Sequence, residues 1–135
     1  MIVVDASVLT NAFGDAGLDG RHARALLSEA GELAAPDLVD VETTAALRRR
    51  WLAGTLSDRR FEQAVALLTG FALERFPTRP LMRRAYELRA HVTAYDACYV
   101  ALAEGLDRPL LTADGRLARA PGPRCVIRLV TSPDA

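Results

Sequence analysis

The sequence contains no lysine: all 17 of its cationic residues are arginine, which we attribute to the base composition of the gene. Its two cysteines, Cys98 and Cys125, lie far apart in apolar surroundings, which excludes a disulfide framework and a zinc site. No apolar run approaches the roughly 18–20 residues of a membrane span, and the N-terminus lacks the basic region of a signal peptide. These absences predict one cytoplasmic domain over residues 1–135, without a membrane partner.

The charges that are present are unevenly distributed along the chain. Residues 1–46 hold two arginines and eight acids, residues 47–92 hold ten arginines and four acids, and residues 93–135 hold five of each. An acidic portion beside an arginine-rich portion suits a site that holds a metal ion and faces phosphates. The alternative is a set of solvated helix faces.

Half of the residues are apolar, and their spacing alternates between short runs and helical stripes. Runs typical of strands lie at residues 2–4, 33–35, 71–76, 109–112 and 126–130, with a short polar tail over 132–135. Helical spacing lies between them, at 7–13, 21–30, 37–51, 58–69, 81–89, 93–104 and 117–118. Strands that alternate with helices predict an α/β fold with a mostly parallel sheet.

Two acids follow predicted strands directly. Asp5 ends the first strand and Asp114 follows the fourth, so each belongs to the carboxyl end of a strand, where α/β sheets bind ligands. Each also has a purely structural interpretation. Asp5 is a good N-cap for the next helix, and an Asp before a Gly, as at Asp114, is common in turns.

Two further acids lie in the first turns of predicted helices. Glu42 belongs to a helix with Asp37 as its N-cap and an apolar stripe formed by Leu38, Val41, Glu42, Ala45 and Arg49. Asp96 is the single charge before Glu104 in an otherwise apolar, hence central, helix with Thr93 as its N-cap. The alternatives are a Glu42 that points to water and an Asp96 that only supports the helix N-terminus.

All four acids are expected at the same edge of the sheet, because helices that follow parallel strands begin where those strands end. Four carboxylates in one pocket repel each other and raise each other's pKa, and a hard divalent cation such as Mg²⁺ or Mn²⁺ removes the conflict. Such a site activates water for attack on a phosphodiester. The hydroxyls of Thr112 and Ser7 are candidates to support it, or else simply cap turns.

Four segments resemble a known family. Ile-Val-Val-Asp-Ala-Ser-Val-Leu at the start, Pro-Asp-Leu-Val-Asp-Val-Glu-Thr at 36–43, Thr-Ala-Tyr-Asp-Ala-Cys-Tyr-Val-Ala-Leu-Ala-Glu at 93–104 and Pro-Leu-Leu-Thr-Ala-Asp at 109–114 are similar to the PIN domain. More narrowly, they resemble the VapC-type ribonuclease toxins of prokaryotic toxin–antitoxin pairs. The resemblance spans nearly the whole chain.

The resemblance implies a three-layer α/β/α fold with about five strands in the order 3-2-1-4-5. It implies that Asp5, Glu42, Asp96 and Asp114 form a metal-binding acidic cluster for Mg²⁺- or Mn²⁺-dependent cleavage of RNA. It further implies a homodimer and a cognate antitoxin whose tail covers the site. Some relatives carry another acid shortly after the last Asp, where this sequence has Gly-Arg-Leu-Ala, so the number of metal ions stays open.

The arginines at 48–50, 59–60 and 83–84 are candidates to contact RNA phosphates, above all Arg48, Arg49, Arg83 and Arg84. Stacking on bases is an option for Tyr95 and Trp51, although the sequence favours core packing for both.

Three other classes compete with the toxin hypothesis. A phospho-receiver or aspartyl phosphotransferase also places an Asp after its first strand, but those families use a Lys, absent here, and the phosphotransferases need a second acid where Ser7 stands. A non-catalytic PIN-like binding module and an RNA-processing PIN nuclease that is not a toxin remain open.

Overall fold

A parallel sheet forms the centre of the protein, whose computed structural model describes residues 1–130. The strands are β1 (Ile2–Val4), β2 (Leu33–Pro36), β3 (Glu74–Phe76), β4 (Leu110–Thr112) and β5 (Ile127–Leu129). They pair in the order β3-β2-β1-β4-β5, and every pair is parallel. The predicted α/β fold and strand order are confirmed, whereas the polar tail predicted at 132–135 lies outside the described residues.

Helices flank this sheet. Within residues 1–130 they are α1 (Ala6–Gly14), α2 (Leu18–Glu29), α3 (Val39–Leu52), α4 (Asp58–Thr69), α5 (Met82–Glu87), α6 (Ala94–Leu106) and α7 (Gly115–Arg119). Helix α1 contacts α2, α3 and α4, α3 also contacts α4, and α6 lies against β1, β2 and β4. None of the helices in this range has the length and apolar character needed to cross a membrane.

The apolar run of β1 is buried on both faces, as the centre of a parallel sheet requires. Val3 and Val4 have no exposed surface, and burying such a side chain contributes about 1.5–3 kcal/mol. Helix α6 is the central helix that its composition predicts, because every residue from 97 to 103 is buried. Both cysteines are free thiols, Cys98 buried and Cys125 half-buried.

The register of β1 and β4 brings the ends of these strands to the same level. Val3 pairs with Leu110 and Val4 with Leu111, and the backbone N–H of Asp5 donates to the Leu111 carbonyl at 3.1 Å. The residues that follow the two strands therefore leave the same edge of the sheet side by side.

Helix boundaries agree with the sequence where a hydroxyl caps the helix. Ser57 accepts a hydrogen bond from the Arg60 N–H at the start of α4, and Thr93 accepts one from the Asp96 N–H at the start of α6. The prediction that Asp37 caps α3 is wrong. Leu38 holds the N-cap position of α3, no side chain caps this helix, and the backbone N–H of Asp37 donates to the Phe76 carbonyl of β3.

Strand β3 is shorter than the predicted span of 71–76. The guanidinium of Arg75 donates to the carbonyls of Leu68, Phe71 and Leu73 and pairs with Asp40. Because this side chain satisfies those carbonyls, the segment before Glu74 does not need a partner strand. The helix predicted at 81–89 is likewise divided into a 3₁₀ turn (Arg79–Leu81) followed by α5.

Candidate active site

An open cavity of about 900 Å³ lies at the carboxyl edge of the sheet. Its lining includes all four acids that the sequence singles out: Asp5, Glu42, Asp96 and Asp114. They come from four separate elements, since Asp5 follows β1, Glu42 lies on α3, Asp96 lies on α6 and Asp114 follows β4. We refer to this space as the acidic cavity.

Asp5 is the most deeply placed of the four, with only 3% of its surface exposed. Its carboxylate accepts hydrogen bonds from the backbone N–H of Ser7 at 2.8 Å and from the hydroxyls of Ser7 and Thr112. Burial raises the pKa of Asp5, and these hydrogen bonds oppose the rise because they favour the charged form. The N-cap interpretation of Asp5 is also correct, so the residue both starts α1 and lines the acidic cavity.

Two hydroxyls join the ends of β1 and β4. Thr112 Oγ1 donates to Asp5 and accepts from the backbone N–H of Asp114 at 3.0 Å. Ser7 Oγ donates to the same carboxylate and accepts from the backbone N–H of Ala113 at 2.9 Å. Each hydroxyl thus donates a hydrogen bond to the Asp5 carboxylate and accepts one from the backbone of the loop after β4. These bonds fix Asp5 relative to Asp114.

Asp114 also caps a helix. Its carboxylate accepts a hydrogen bond from the backbone N–H of Arg116 at 2.9 Å, at the start of α7. This bond involves one carboxylate oxygen, Oδ1. Asp114 therefore caps α7 and lines the acidic cavity at the same time, as Asp5 does for α1.

The predicted apolar stripe of α3 is wrong. Val41 is 75% exposed, and Ala45 and Arg49 are exposed as well. The side chains that α3 buries are those of Val39, Thr43 and Leu47. Glu42 lies beside this buried row, half-buried, at the border between the core and the acidic cavity.

Glu42 is held by Tyr99, a residue for which the sequence suggested no role in the site. The Tyr99 hydroxyl donates to Glu42 Oε1 at 3.1 Å, and the ring has no exposed surface. Burial, followed by the charges of Glu42 and Asp5, raises the pKa of Tyr99, so the hydroxyl keeps its proton and acts as a donor. The available signal was the spacing, because Tyr99 lies three residues after Asp96 and so on the same side of α6.

Electrostatic repulsion links the four acids. Burial and then the charges of Asp5 and Asp114 raise the pKa of Asp96 to about 6. Burial also raises the pKa of Glu42. The hydrogen bond from Tyr99 lowers this pKa, and the charges of Asp96 and Asp5 raise it further. The carboxylates are thus close enough to disfavour one another's ionised forms, which is the condition that a bound cation relieves.

The donor chemistry fits a hydrated, hard divalent cation. Across residues 1–130, no three acidic, histidine or cysteine side chains stand in a ready-made metal cage. Mg²⁺ does not require such a cage, since it usually keeps several waters and binds through one or two carboxylates plus substrate phosphates. The four carboxylates of the acidic cavity and the Ser7 hydroxyl beside them are oxygen donors that suit that coordination.

The two aromatic candidates are not packed in the core, contrary to the expectation from the sequence. Tyr95 is 65% exposed and lines the acidic cavity. Trp51 is 40% exposed, its indole N–H donates to Asp58, and it does not line the acidic cavity.

The four arginines proposed to contact RNA occupy different places. Arg49 is exposed and lines the acidic cavity, whereas Arg48 is exposed outside it. Neither Arg83 nor Arg84 lines it, and the Arg84 guanidinium is paired with Glu104 at 2.7 Å. RNA contact by these four arginines stays a prediction.

A carboxylate-lined cavity at the carboxyl edge of a five-stranded parallel sheet in this order defines a PIN-like α/β domain. The chain belongs to the PIN domain family, whose model matches residues 2–123.

Comparisons with individual proteins agree with this assignment. The chain is 43% identical over 129 residues to the protein named Ribonuclease VapC1 of Mycobacterium tuberculosis, a match that covers 95% of this chain and 96% of that protein. The crystal structure of the Mycobacterium tuberculosis toxin VapC20, described as cleaving the sarcin–ricin loop, has a TM-score of 0.71 at 18% identity, covering 87% of this chain and 93% of that one. A toxin–antitoxin complex from Klebsiella pneumoniae has a TM-score of 0.64 at 18% identity, covering 98% and 99%. The two structures share the fold with this chain.

Proposed function

We propose that the protein is a metal-dependent endoribonuclease that acts as the toxin of a toxin–antitoxin pair. The observation that carries the proposal is the convergence of Asp5, Glu42, Asp96 and Asp114 on one cavity. The full-length similarity to a protein named as a VapC ribonuclease supports RNA as the substrate. The reaction would be hydrolysis of an RNA phosphodiester.

The four carboxylates would hold Mg²⁺ or Mn²⁺, and the ion would supply a Lewis acid and a bound water of lowered pKa. Asp5 is the most rigid of them, because Ser7 and Thr112 fix its carboxylate at the junction of β1 and β4. Tyr99 fixes Glu42 from inside the core. With these side chains locked by their own hydrogen bonds, the site needs little reorganisation when RNA arrives.

The free site is unfavourable for RNA, since four carboxylates repel a phosphodiester. Burial raises the pKa of Glu42 and of Asp96, and the charges of neighbouring acids raise both further, as expected for this excess of negative charge. A divalent cation would reverse the local charge, and so would strengthen RNA binding and make cleavage depend on metal.

The partners follow from the same proposal. A toxin of this kind would bind a cognate antitoxin that covers the acidic cavity, and the Klebsiella pneumoniae complex has the same fold as this chain. We also propose that the protein forms a homodimer and works in the cytoplasm, where its RNA substrate is found.

The test is incubation of the purified, antitoxin-free protein with total RNA in Mg²⁺ or Mn²⁺, beside reactions that contain EDTA. We expect cleavage that needs the metal and that is lost in Asp5→Asn and in Asp96→Asn. The matched control is Asp19→Asn, which removes an exposed acid in the first turn of α2 and should cleave like the wild type. Circular dichroism establishes that each variant is folded.

Full activity of folded Asp5→Asn or Asp96→Asn would contradict the assignment of the four acids. A folded wild type that binds RNA without cutting it in either metal would instead favour a non-catalytic binding module. Cleavage without growth arrest on expression in cells would favour an RNA-processing nuclease over a toxin.

A further inference from the structure

Three consecutive arginines near the end of α3 lie in three different environments. Arg48 is exposed and lies outside the acidic cavity, and Arg49 is exposed and lines it. Arg50 lines the same cavity but is half-buried. Because the three residues are all arginine, substitutions at these positions differ only in where the side chain lies.

Arg50 is held in place by neutral partners. Its Nη2 donates to Asn11 Oδ1 at 2.6 Å, and its Nη1 donates to the Thr10 carbonyl at 3.5 Å. In the described part of the chain no carboxylate lies within ion-pair distance of Arg50. The guanidinium is thus fixed without being neutralised.

Two of the three other half-buried arginines are neutralised. Arg75 binds both oxygens of Asp40 at 2.7 and 2.9 Å. Arg84 binds both oxygens of Glu104 at 2.7 and 3.1 Å. These two bidentate pairs have structural roles, as expected for partly buried charges. Arg60 is also half-buried and makes no ion pair within residues 1–130, but it lies outside the acidic cavity, whereas Arg50 forms part of its wall.

A partly desolvated cation without a counterion favours an anionic ligand. A guanidinium carries five N–H donors, and the two hydrogen bonds of Arg50 leave the others available. Its fork geometry matches a phosphate group, and lower exposure to water strengthens the attraction. Among other effects, its charge lowers the pKa of Asp15: burial raises that pKa, and the N–H groups of Gly20 and Gly17 and then Arg50 lower it.

The position of Arg50 separates it from the four acids. Glu42 and Arg50 lie on the same helix, and eight residues span about 12 Å along its axis. A phosphate group in contact with the carboxylate end of the cavity would therefore be distinct from one bound at Arg50. Since Asn11 also lines the cavity, the site at Arg50 has two polar walls.

We propose that Arg50, held by Asn11, forms a phosphate subsite that binds the RNA strand at a phosphate other than the one that is cleaved. The identity of the ligand rests on the proposed function, whereas the subsite itself rests on the geometry of Arg50.

The first experiment measures the binding of a short, fluorescein-labelled, single-stranded RNA of mixed sequence by fluorescence anisotropy. EDTA is present, so that metal-dependent cleavage does not occur, and the salt concentration is varied. We expect Arg50→Gln to weaken binding about tenfold and to reduce the slope of log K against log salt by about 0.7, the value for one lost phosphate contact on a single strand. The control Arg48→Gln should change both quantities far less, although it removes the same charge from the neighbouring position.

The second experiment neutralises Arg50 without removing it. Asn11→Asp replaces the amide with a carboxylate of the same shape, so Arg50 acquires an ion pair like that of Arg75. We expect RNA binding to fall about as far as in Arg50→Gln, while the melting temperature stays equal to or above that of the wild type. The control Gln63→Glu adds the same charge at an exposed position on α4 and should leave RNA binding nearly unchanged.

Wild-type affinity and salt slope in folded Arg50→Gln would overturn the proposal, as would an equal loss in Arg48→Gln. If Arg50→Gln does not fold, Asn11→Asp decides: undiminished RNA binding by that variant overturns the subsite. The proposed function fails separately. If the wild type binds RNA through Arg50 but never cleaves it, the subsite is supported and the nuclease proposal is wrong. If the wild type cleaves RNA and Arg50→Gln binds RNA normally, the nuclease proposal is supported and the subsite is wrong.

Discussion

The buried hydroxyl of Tyr99 donates a hydrogen bond to Glu42 Oε1 at 3.1 Å. A core side chain of α6 thus determines where a carboxylate of α3 stands in the acidic cavity. Because α6 also carries Asp96, this single contact relates two of the four acids to each other. The cluster is held from within the core as well as by the loops at the sheet edge.

Replacement of Tyr99 by Phe should alter the acid side of the pH–activity profile. The substitution removes only the hydroxyl, and a donor to a carboxylate stabilises its charged form, so its loss raises the pKa of Glu42 further. As the pH is lowered, Tyr99→Phe should therefore lose cleavage activity at a higher pH than the wild type does. The unfolding free energy should fall by about 1 kcal/mol, measured by urea denaturation.

Tyr86→Phe is the control for Tyr99→Phe, because Tyr86 is 65% exposed and its ring contacts Arg89. It makes the same chemical change outside the acidic cavity and should leave the pH profile unchanged. An unaltered profile in Tyr99→Phe would show that the hydroxyl does not position Glu42.

Replacement of Thr112 by Val should weaken the acidic cluster without filling or emptying space. Val keeps the shape of Thr but loses the hydroxyl that joins Asp5 to the N–H of Asp114. We expect a loss of about 1–3 kcal/mol in stability, because the Asp114 N–H loses its partner. The melting-temperature increase produced by Mn²⁺ should also shrink, since Asp5 is less well fixed.

Thr69→Val serves as the comparison, since the Thr69 hydroxyl is exposed and donates to a carbonyl of its own helix. Its stability and its response to Mn²⁺ should remain close to those of the wild type. If Thr112→Val matches Thr69→Val in both stability and the response to Mn²⁺, the hydrogen bonds of Thr112 contribute neither to stability nor to metal binding.

Asp96 should make the metal-free protein less stable as the pH rises. The pKa of Asp96 in the folded protein is about 6, above the ordinary value of 3.8, so the folded state binds the proton more tightly than the unfolded state. Stability from this group is therefore present at low pH and is lost as the pH rises through about 6. In EDTA, Asp96→Asn should melt at a higher temperature than the wild type at neutral pH, because it removes both the cost of burying a charged carboxylate and the repulsion from Asp5 and Asp114.

The advantage of Asp96→Asn should disappear as the pH falls from about 6 toward 3.8, where the wild-type carboxyl takes up its proton. Thermal melts of both proteins across this range measure the difference directly. A pH-independent gap for Asp96→Asn would mean that burial and the neighbouring acids do not raise the pKa of Asp96.

Arg84 should contribute to stability rather than to RNA binding. Its guanidinium binds both oxygens of Glu104 and the carbonyl of Gly122, which joins α5, α6 and the loop that precedes β5. Arg84→Gln should lower the unfolding free energy by about 1.5–3 kcal/mol, the range for hydrogen bonds to charged groups, measured by urea denaturation.

The neighbouring substitution Arg83→Gln is the control, because Arg83 is exposed and makes no ion pair within residues 1–130. It should leave stability unchanged. Weaker RNA binding by Arg84→Gln at full stability would instead support the RNA contact that the sequence suggests for Arg84.

The sequence by itself determined the sheet and the strand ends. Buried parallel strands need continuous apolar runs, so the runs that end at Asp5 and lead to Asp114 were visible without a structure. The caps Ser57 and Thr93 were equally clear, because a hydroxyl at an N-cap interacts with N–H groups only two or three residues away. Such local chemistry, together with the resemblance of four segments, predicted the fold and the four acids that the structure brings together.

Only the tertiary structure decided which face of α3 is buried. Val41 is apolar and exposed, whereas Thr43 is polar and fully buried, because the helices that pack on α3 select the buried row and apolar spacing does not. The same applies to Arg48, Arg49 and Arg50, whose different environments depend on the neighbouring α1. The bond from Tyr99 to Glu42 joins residues 57 positions apart, and such contacts arise from packing, which local pattern does not encode.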